Sequence, residues 1–214
     1  MYLLAGFVGC LLFLTVEAEV GKCSYLPFKT ETSQCMLYNV TCKCDTYEAR
    51  HYEAATWVTT TVRSWSMDYA CYVAFMRLYK YICGENDQGK SIEMTSPVVM
   101  KIGEEKWLWE EQDYQMSFLL PKEHQAYPPE PTDHDVLIYK SPAFDVYVRS
   151  YGGWMFSLSD SHQSGELMYD LEMSGASFEP DCHFGIAYNG PKTLFNRHNE
   201  VWVPVTGKPH CPYK

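Results

Sequence analysis

Positive charge is scarce in this chain. Seventeen Lys and Arg stand against 27 Asp and Glu, a net charge of −10 with histidines neutral. An acidic chain repels phosphate backbones, and no Lys/Arg cluster is dense enough to overcome that. Nucleic acid is therefore excluded as a partner. Beyond residue 16 no apolar run approaches the roughly 20 residues that cross a bilayer, so no membrane span is expected. Gly-x-Ser-x-Gly and His-Glu-x-x-His are both missing, and no nucleophile–base pair is visible. The expectation is a protein that is not an enzyme. Zinc is disfavoured too, because Cys42-x-Cys44 lacks the usual two-residue gap and has no second pair.

The start of the chain is apolar. Tyr2 to Val16 carries no charge and leads into Val16-Glu17-Ala18, a small-residue cleavage pattern. Residues 1–18 read as a secretory signal peptide, although no Lys or Arg precedes the apolar stretch. The expected location is secreted, extracellular. Of nine cysteines, Cys10 lies in that segment. The others are Cys23, Cys35, Cys42, Cys44, Cys71, Cys83, Cys182 and Cys211, an even set that implies disulfides. Their pairing stays open, with one exclusion. Cys71 and Cys83 fall on one predicted helix about 18 Å apart, whereas a disulfide needs Cα atoms within about 7 Å. Asn39-Val40-Thr41 is a glycosylation acceptor at Asn39.

Residues 19–44 form a Cys-rich segment without clear periodicity, expected to be pinned onto the domain that follows. From Thr46 the pattern changes. Residues 47–52 and 55–62 are rich in β-branched and aromatic residues and predict strands. One helix follows, with Ser66 as N-cap, Asp68 in the first turn and Gly84 as the stop. Its apolar face carries Cys71, Phe75, Leu78 and Ile82. Residues 84–89 predict a turn, and 91–102 and 107–120 predict strands, the first with Pro97 at an edge or bulge. A proline-rich connector over 121–133 leads to strands at 135–139 and 144–151. A second helix lies within 157–174, built on Leu167, Met168 and Leu171. Strands at 182–188 and 200–205 close the chain. The order of strands, helix, strands occurs twice, and residues 50–62 resemble 138–152 in texture, which suggests an internal duplication. The fold class is α+β, with helices on a largely antiparallel sheet or open barrel.

Three segments resemble the SOUL heme-binding protein family. They are Tyr47-Glu48-x-Arg50-x-Tyr52 with Trp57-Val58; Phe75-x-x-Leu78 through Tyr81-Ile82-x-Gly84-x-Asn86 and Met94-Thr95-x-Pro97-Val98; and Asn196-Arg197-x-Asn199-Glu200-Val201-Trp202. The resemblance covers about residues 45–206, and the domain is drawn as 45–207 with a tail at 208–214. It implies a pseudo-twofold distorted antiparallel β-barrel flanked by two helices. It also implies binding of heme or a related tetrapyrrole between residues 72–80 and the 190–198 loop.

The residues there suit a flat apolar ring with carboxylates. Tyr72, Met76 and Tyr79 form a second apolar stripe, with Phe75 between it and the core stripe. The alternative is that this stripe is more core, or lies under the Cys-rich segment. Lys80, Lys192 and Arg197 are candidates to meet the propionates, although Tyr72 stands where some relatives carry a positive charge. By resemblance His51 is a candidate heme-iron ligand, on a strand face shared with Tyr47 and Ala49; His198 is a second. Two other functions compete: a small-molecule hydrolase using Glu200 as a perturbed carboxylate, and an extracellular interaction module with no tetrapyrrole.

Overall fold

The computed structural model describes residues 20–103 and 110–212. The expected signal peptide, residues 1–18, lies outside the described residues, as does the beginning of the strand predicted from Trp107.

The main sheet has nine antiparallel strands: β3 (Asn39–Lys43), β4 (Glu48–Tyr52), β5 (Ala55–Ser64), β6 (Val98–Gly103), β7 (Gln112–Leu119), β8 (Val136–Ser141), β9 (Phe144–Tyr151), β10 (Cys182–Ala187) and β11 (Asn199–Pro204). Two further short strands, β1 (Val20–Lys22) and β2 (Gln34–Met36), pair apart from it. Helix α1 (Met67–Ile82) follows β5, and α2 (Ser157–Ser174) follows β9. The spatial order is β3-β4-β9-β11-β10-β6-β7-β5-β8. This sheet curls into a half-barrel with two helices, the α+β arrangement expected.

The duplication is visible in that order. The chain runs β4-β5-α1-β6-β7 and then β8-β9-α2-β10-β11. Each unit sends its first strand across to the other: β4 pairs with β9, and β8 with β5. The units meet at β6 and β10, where Met100 stands opposite Gly185.

Helix α1 begins where its cap predicts, with the Tyr69 N–H donating to Ser66 Oγ at 3.3 Å. Gly84, at φ 117°, follows its end. Its buried face differs from the predicted one. Ala70, Ala74, Leu78 and Tyr81 are buried, whereas Cys71 and Phe75 lie half-buried beside them. The two alanines let the helix axis approach β5 and β7 closely, which rotates the contact stripe by about one residue. Helix α2 packs Leu167 and Leu171 on Val201 and Val203. A side chain at Gly185 would place its Cβ 2.6 Å from Asp160 Oδ1, so glycine there permits the approach of α2.

Both helices cover one face of the sheet. On the other face Tyr52, Trp57, Val146, Ile186, Tyr188 and Trp202 form a separate cluster. The N-terminal segment lies on that cluster through Val20, Leu26, Phe28, Met36 and Tyr38. It is clipped by Cys23–Cys35 and by Cys42–Cys211, the latter also fixing the C-terminal tail. Within the Cys-rich segment, β3 pairs with β4 as an edge strand of the main sheet.

Two other expectations are corrected. Residues 91–97 are not strand, since β6 begins at Val98; proline at 97 has no N–H to give a ladder. Eight disulfide-bonded cysteines were expected, and among the described residues two bonds form. Cys44, Cys71 and Cys83 are thiols, and Cys182 lies outside both bonds. Cys42 and Cys44 stand two residues apart, and Cys211 can serve only one. Cys71 and Cys83 do not pair with each other, as their shared helix requires.

Candidate ligand-binding surfaces

The second stripe of α1 is not core. Tyr72, Met76 and Tyr79 are 66%, 38% and 45% exposed, and Trp65 and Tyr69 extend the row toward the helix start. Nor does the Cys-rich segment cover it, since that segment packs on the opposite sheet face. Phe75 joins stripe to core, stacking on Tyr79 and meeting Phe118 edge-on.

The stripe connects to the 190–198 loop through residues 154–157. Asp68 in the first turn of α1 accepts from the Ser157 N–H and Oγ at 3.0 and 3.1 Å. Phe156 stacks on Trp154, and the Arg197 guanidinium lies 4.0 Å from the Trp154 ring centre. Leu194 and Phe195 in the loop are exposed. Helix and loop thus border one apolar belt.

The expected charged contacts divide. Lys80 and Lys192 are exposed and project into solvent. Arg197 is instead buried, donating to the carbonyls of Gly190, Thr193 and Asn189 at 2.6–2.8 Å. It braces its own loop, so a propionate contact does not fit it.

The candidate iron ligands are also engaged. His51 Nδ1 lies 2.9 Å from Asp145 Oδ1, and its Nε2 lies 3.6 Å from Glu53. It sits on β4, whose partners are β3 and β9, whereas α1 packs on β5, β7 and β8. His51 also stands directly opposite Asn39 on β3. Such pairs hold their Cβ atoms about 5 Å apart on one face, so a glycan on Asn39 would crowd His51. His198 Nε2 lies 2.7 Å from Glu200, and its ring stacks on Phe28 at 3.5 Å. Tyr188 meets the same imidazole edge-on.

Glu200 is wholly buried in a polar centre that the residue pattern only half disclosed. Arg50 Nη1 reaches both its carboxylate oxygens at 3.0 Å. Trp202 Nε1 donates at 2.7 Å and Tyr188 Oη at 3.3 Å. Burial pushes the carboxyl upward, but Arg50 and the bonds from His198 and Trp202 outweigh it, and its pKa lies below the ordinary value. A satisfied, ionised carboxylate is a poor general acid or base near neutrality. The side chains of Arg50, Tyr188, His198 and Trp202 all bond its carboxylate. Sequence reasoning missed the buried Asp160–His183 pair at 2.6 Å, because a lone His and a lone Asp 23 residues apart form no motif.

On the sheet face away from the helices lies a cavity of about 250 Å³, walled by Trp57, Phe144, Phe184 and Trp202.

Comparison with known proteins settles the lineage. The family model described as SOUL heme-binding protein matches residues 33–204. The chain belongs to the SOUL heme-binding protein family. Among SOUL relatives it is 34% identical to Heme-binding protein 2 of Homo sapiens over 163 residues, 76% of this chain and 80% of that one. It is 28% identical to Heme-binding protein 1 of Mus musculus over 157 residues, 73% of this chain and 83% of that one. Solved structures sharing the fold include the EcmrR C-terminal domain, with TM-score 0.52, 12% identity, and 80% and 99% of the two chains covered. A hydrolase of Listeria innocua aligns with TM-score 0.51 and 12% identity over 75% and 92%. These two likenesses concern fold alone.

Proposed function

We propose that this SOUL protein binds heme or a related tetrapyrrole on the belt between α1 and the 190–198 loop, outside the cell, as a binder and not a catalyst. The observation that carries the site is the exposed row Tyr69, Tyr72, Met76 and Tyr79 on an otherwise packed helix. A monomer leaves such surface open at a cost in solubility, and it commonly marks a binding site. Membership of the SOUL family and the names of its relatives support the ligand class. Lys80 and Lys192 flank the belt as exposed cations for propionates, without an ion pair among the described residues, while Arg197 holds the loop in shape. When bound, the macrocycle would supply its own iron chemistry; the chain supplies apolar area and charge. Two disulfides and the acceptor Asn39 on an edge strand support the oxidising, secretory location.

Hemin titration of the oxidised protein tests the reading. A saturable Soret shift is expected, weakened at least tenfold in Tyr72→Asp/Met76→Asp. A folded double variant that binds hemin as tightly as wild type would remove the belt from the reading. No saturable binding at all would leave the interaction-module alternative.

A further inference from the structure

The two units fill the face away from the helices differently. Around the central Met100–Gly185 pair, Ile186 stands opposite Glu200 in one half, and Lys101 stands opposite Gln115 in the other. Gln115 is thus the register equivalent of Glu200. By the same count Tyr139, opposite Trp57, matches Arg50, opposite Val146. In the Glu200 half the ion pair is made, and the N-terminal segment covers it, with Phe28 on His198 and Tyr38 on Arg50. In the Gln115 half the ion pair is replaced by Gln and Tyr, and the cavity of about 250 Å³ lies there.

We infer that this uncovered half is a second ligand site, which takes a small planar aromatic carboxylate. Three features select that chemistry. The walls are Trp57, Phe144, Phe184 and Trp202, which offer ring faces and edges. The covered half shows what such walls accept, since aromatic side chains of the N-terminal segment lie there. Lys101 and Asp145 are the charged lining residues. Asp145 turns its carboxylate to His51, whereas Lys101 has no ion pair with a described residue. One cation is therefore left facing an apolar slot. The chain's net negative charge opposes an anion at long range, but screening over about 8 Å at physiological salt leaves the lining charges to decide, and of these Asp145 is matched by His51. The volume is below the roughly 300–1,000 Å³ of sites for drug-sized ligands. A tetrapyrrole does not fit; one or two fused rings do.

The test uses 2-naphthoate and its uncharged analogue 2-naphthamide, titrated calorimetrically into the full oxidised protein. Naphthoate is expected to bind at least fivefold more tightly than the amide. Val99→Trp, which fills the slot, should weaken naphthoate at least tenfold. Lys101→Gln should bring acid and amide to equal affinity while leaving the thermal midpoint unchanged. Saturation with hemin should leave naphthoate affinity within twofold, because the belt lies on the opposite sheet face. Absence of naphthoate binding, an amide that binds as well as the acid, or a folded Val99→Trp protein with unchanged affinity would each overturn the inference. Displacement of naphthoate by hemin would do so too, by making the two sites one. If Val99→Trp fails to fold, the acid–amide comparison and Lys101→Gln still decide.

Discussion

Arg50 and Glu200, 150 residues apart in sequence, meet where Arg50 Nη1 stands 3.0 Å from both carboxylate oxygens. Both side chains are buried, and Arg50 also donates its Nε to Glu48 Oε1 at 2.6 Å on its own strand. Tyr52, Tyr188, His198 and Trp202 complete it. The pair joins β4 of the first unit to β11 of the second, so it ties the two halves of the duplication.

Removing one partner should be costly. Glu200→Gln leaves Glu48, 2.6 Å away and largely buried, as the remaining counter-charge of Arg50, so a loss of at most about 3–5 kcal/mol is expected. The pH dependence has a definite sign. A carboxyl whose folded pKa is lowered stabilises above its ordinary value near 4.5 and loses that contribution as pH falls through the lower folded value. Urea unfolding from pH 7 to pH 3 should show a steeper fall in wild type than in Glu200→Gln. Parallel curves would exclude Glu200 as the source.

His51 should matter little for tetrapyrrole affinity. It is tied to Asp145 and lies across from Asn39, away from α1. His51→Ala should keep hemin affinity within about tenfold, or 1.4 kcal/mol, and iron-free porphyrin should bind comparably. A hundredfold loss in a folded His51→Ala protein would make the imidazole a ligand after all.

Phe75 and Tyr72 should separate stability from binding. Tyr72 is exposed, so Tyr72→Asp should change stability by no more than about 0.5 kcal/mol while weakening hemin. Phe75 packs on Phe118 and the α1 core, so Phe75→Asp should lower the melting temperature as well as affinity. Melting curves beside Soret titrations of both variants distinguish the roles.

Thiol chemistry should follow position. Cys83 is exposed at the end of α1, whereas burial, with Asp68 and Asp160 nearby, pushes the Cys71 thiol up to about 11. A disulfide-exchange reagent at pH 8 should label Cys83 quickly and Cys71 only on unfolding. Mass mapping of the labelled peptides reads the order; fast labelling of Cys71 in the native protein would contradict its placement.

Removing Cys42–Cys211 should destabilise more than removing Cys23–Cys35. The bonds span 169 and 12 residues, and a longer loop restrains the unfolded chain more, with both losses expected within about 2–5 kcal/mol. Paired Cys→Ser variants compared by denaturation midpoint check the order.

Local chemistry alone determined much of this protein. The cap at Ser66, the stop at Gly84 and a 3.6-residue apolar period make α1 legible, because a helix is built from contacts within four residues. Alternation made β4, β5, β9, β10 and β11 legible for the same reason, and three ordered motifs carried the family. Tertiary structure decided the rest. The strands β1 and β2, of three residues each, are too short to show a period and exist through pairing. Which stripe of α1 is core depends on how closely Ala70 and Ala74 let the sheet approach. Arg197 turns inward because its loop offers three carbonyls at once. Glu200 becomes a buried, ion-paired carboxylate because a strand 150 residues earlier delivers Arg50. Disulfide choice and the uncovered cavity likewise arise between elements distant in sequence. Distances of that kind are set only when the sheet curls and its register closes.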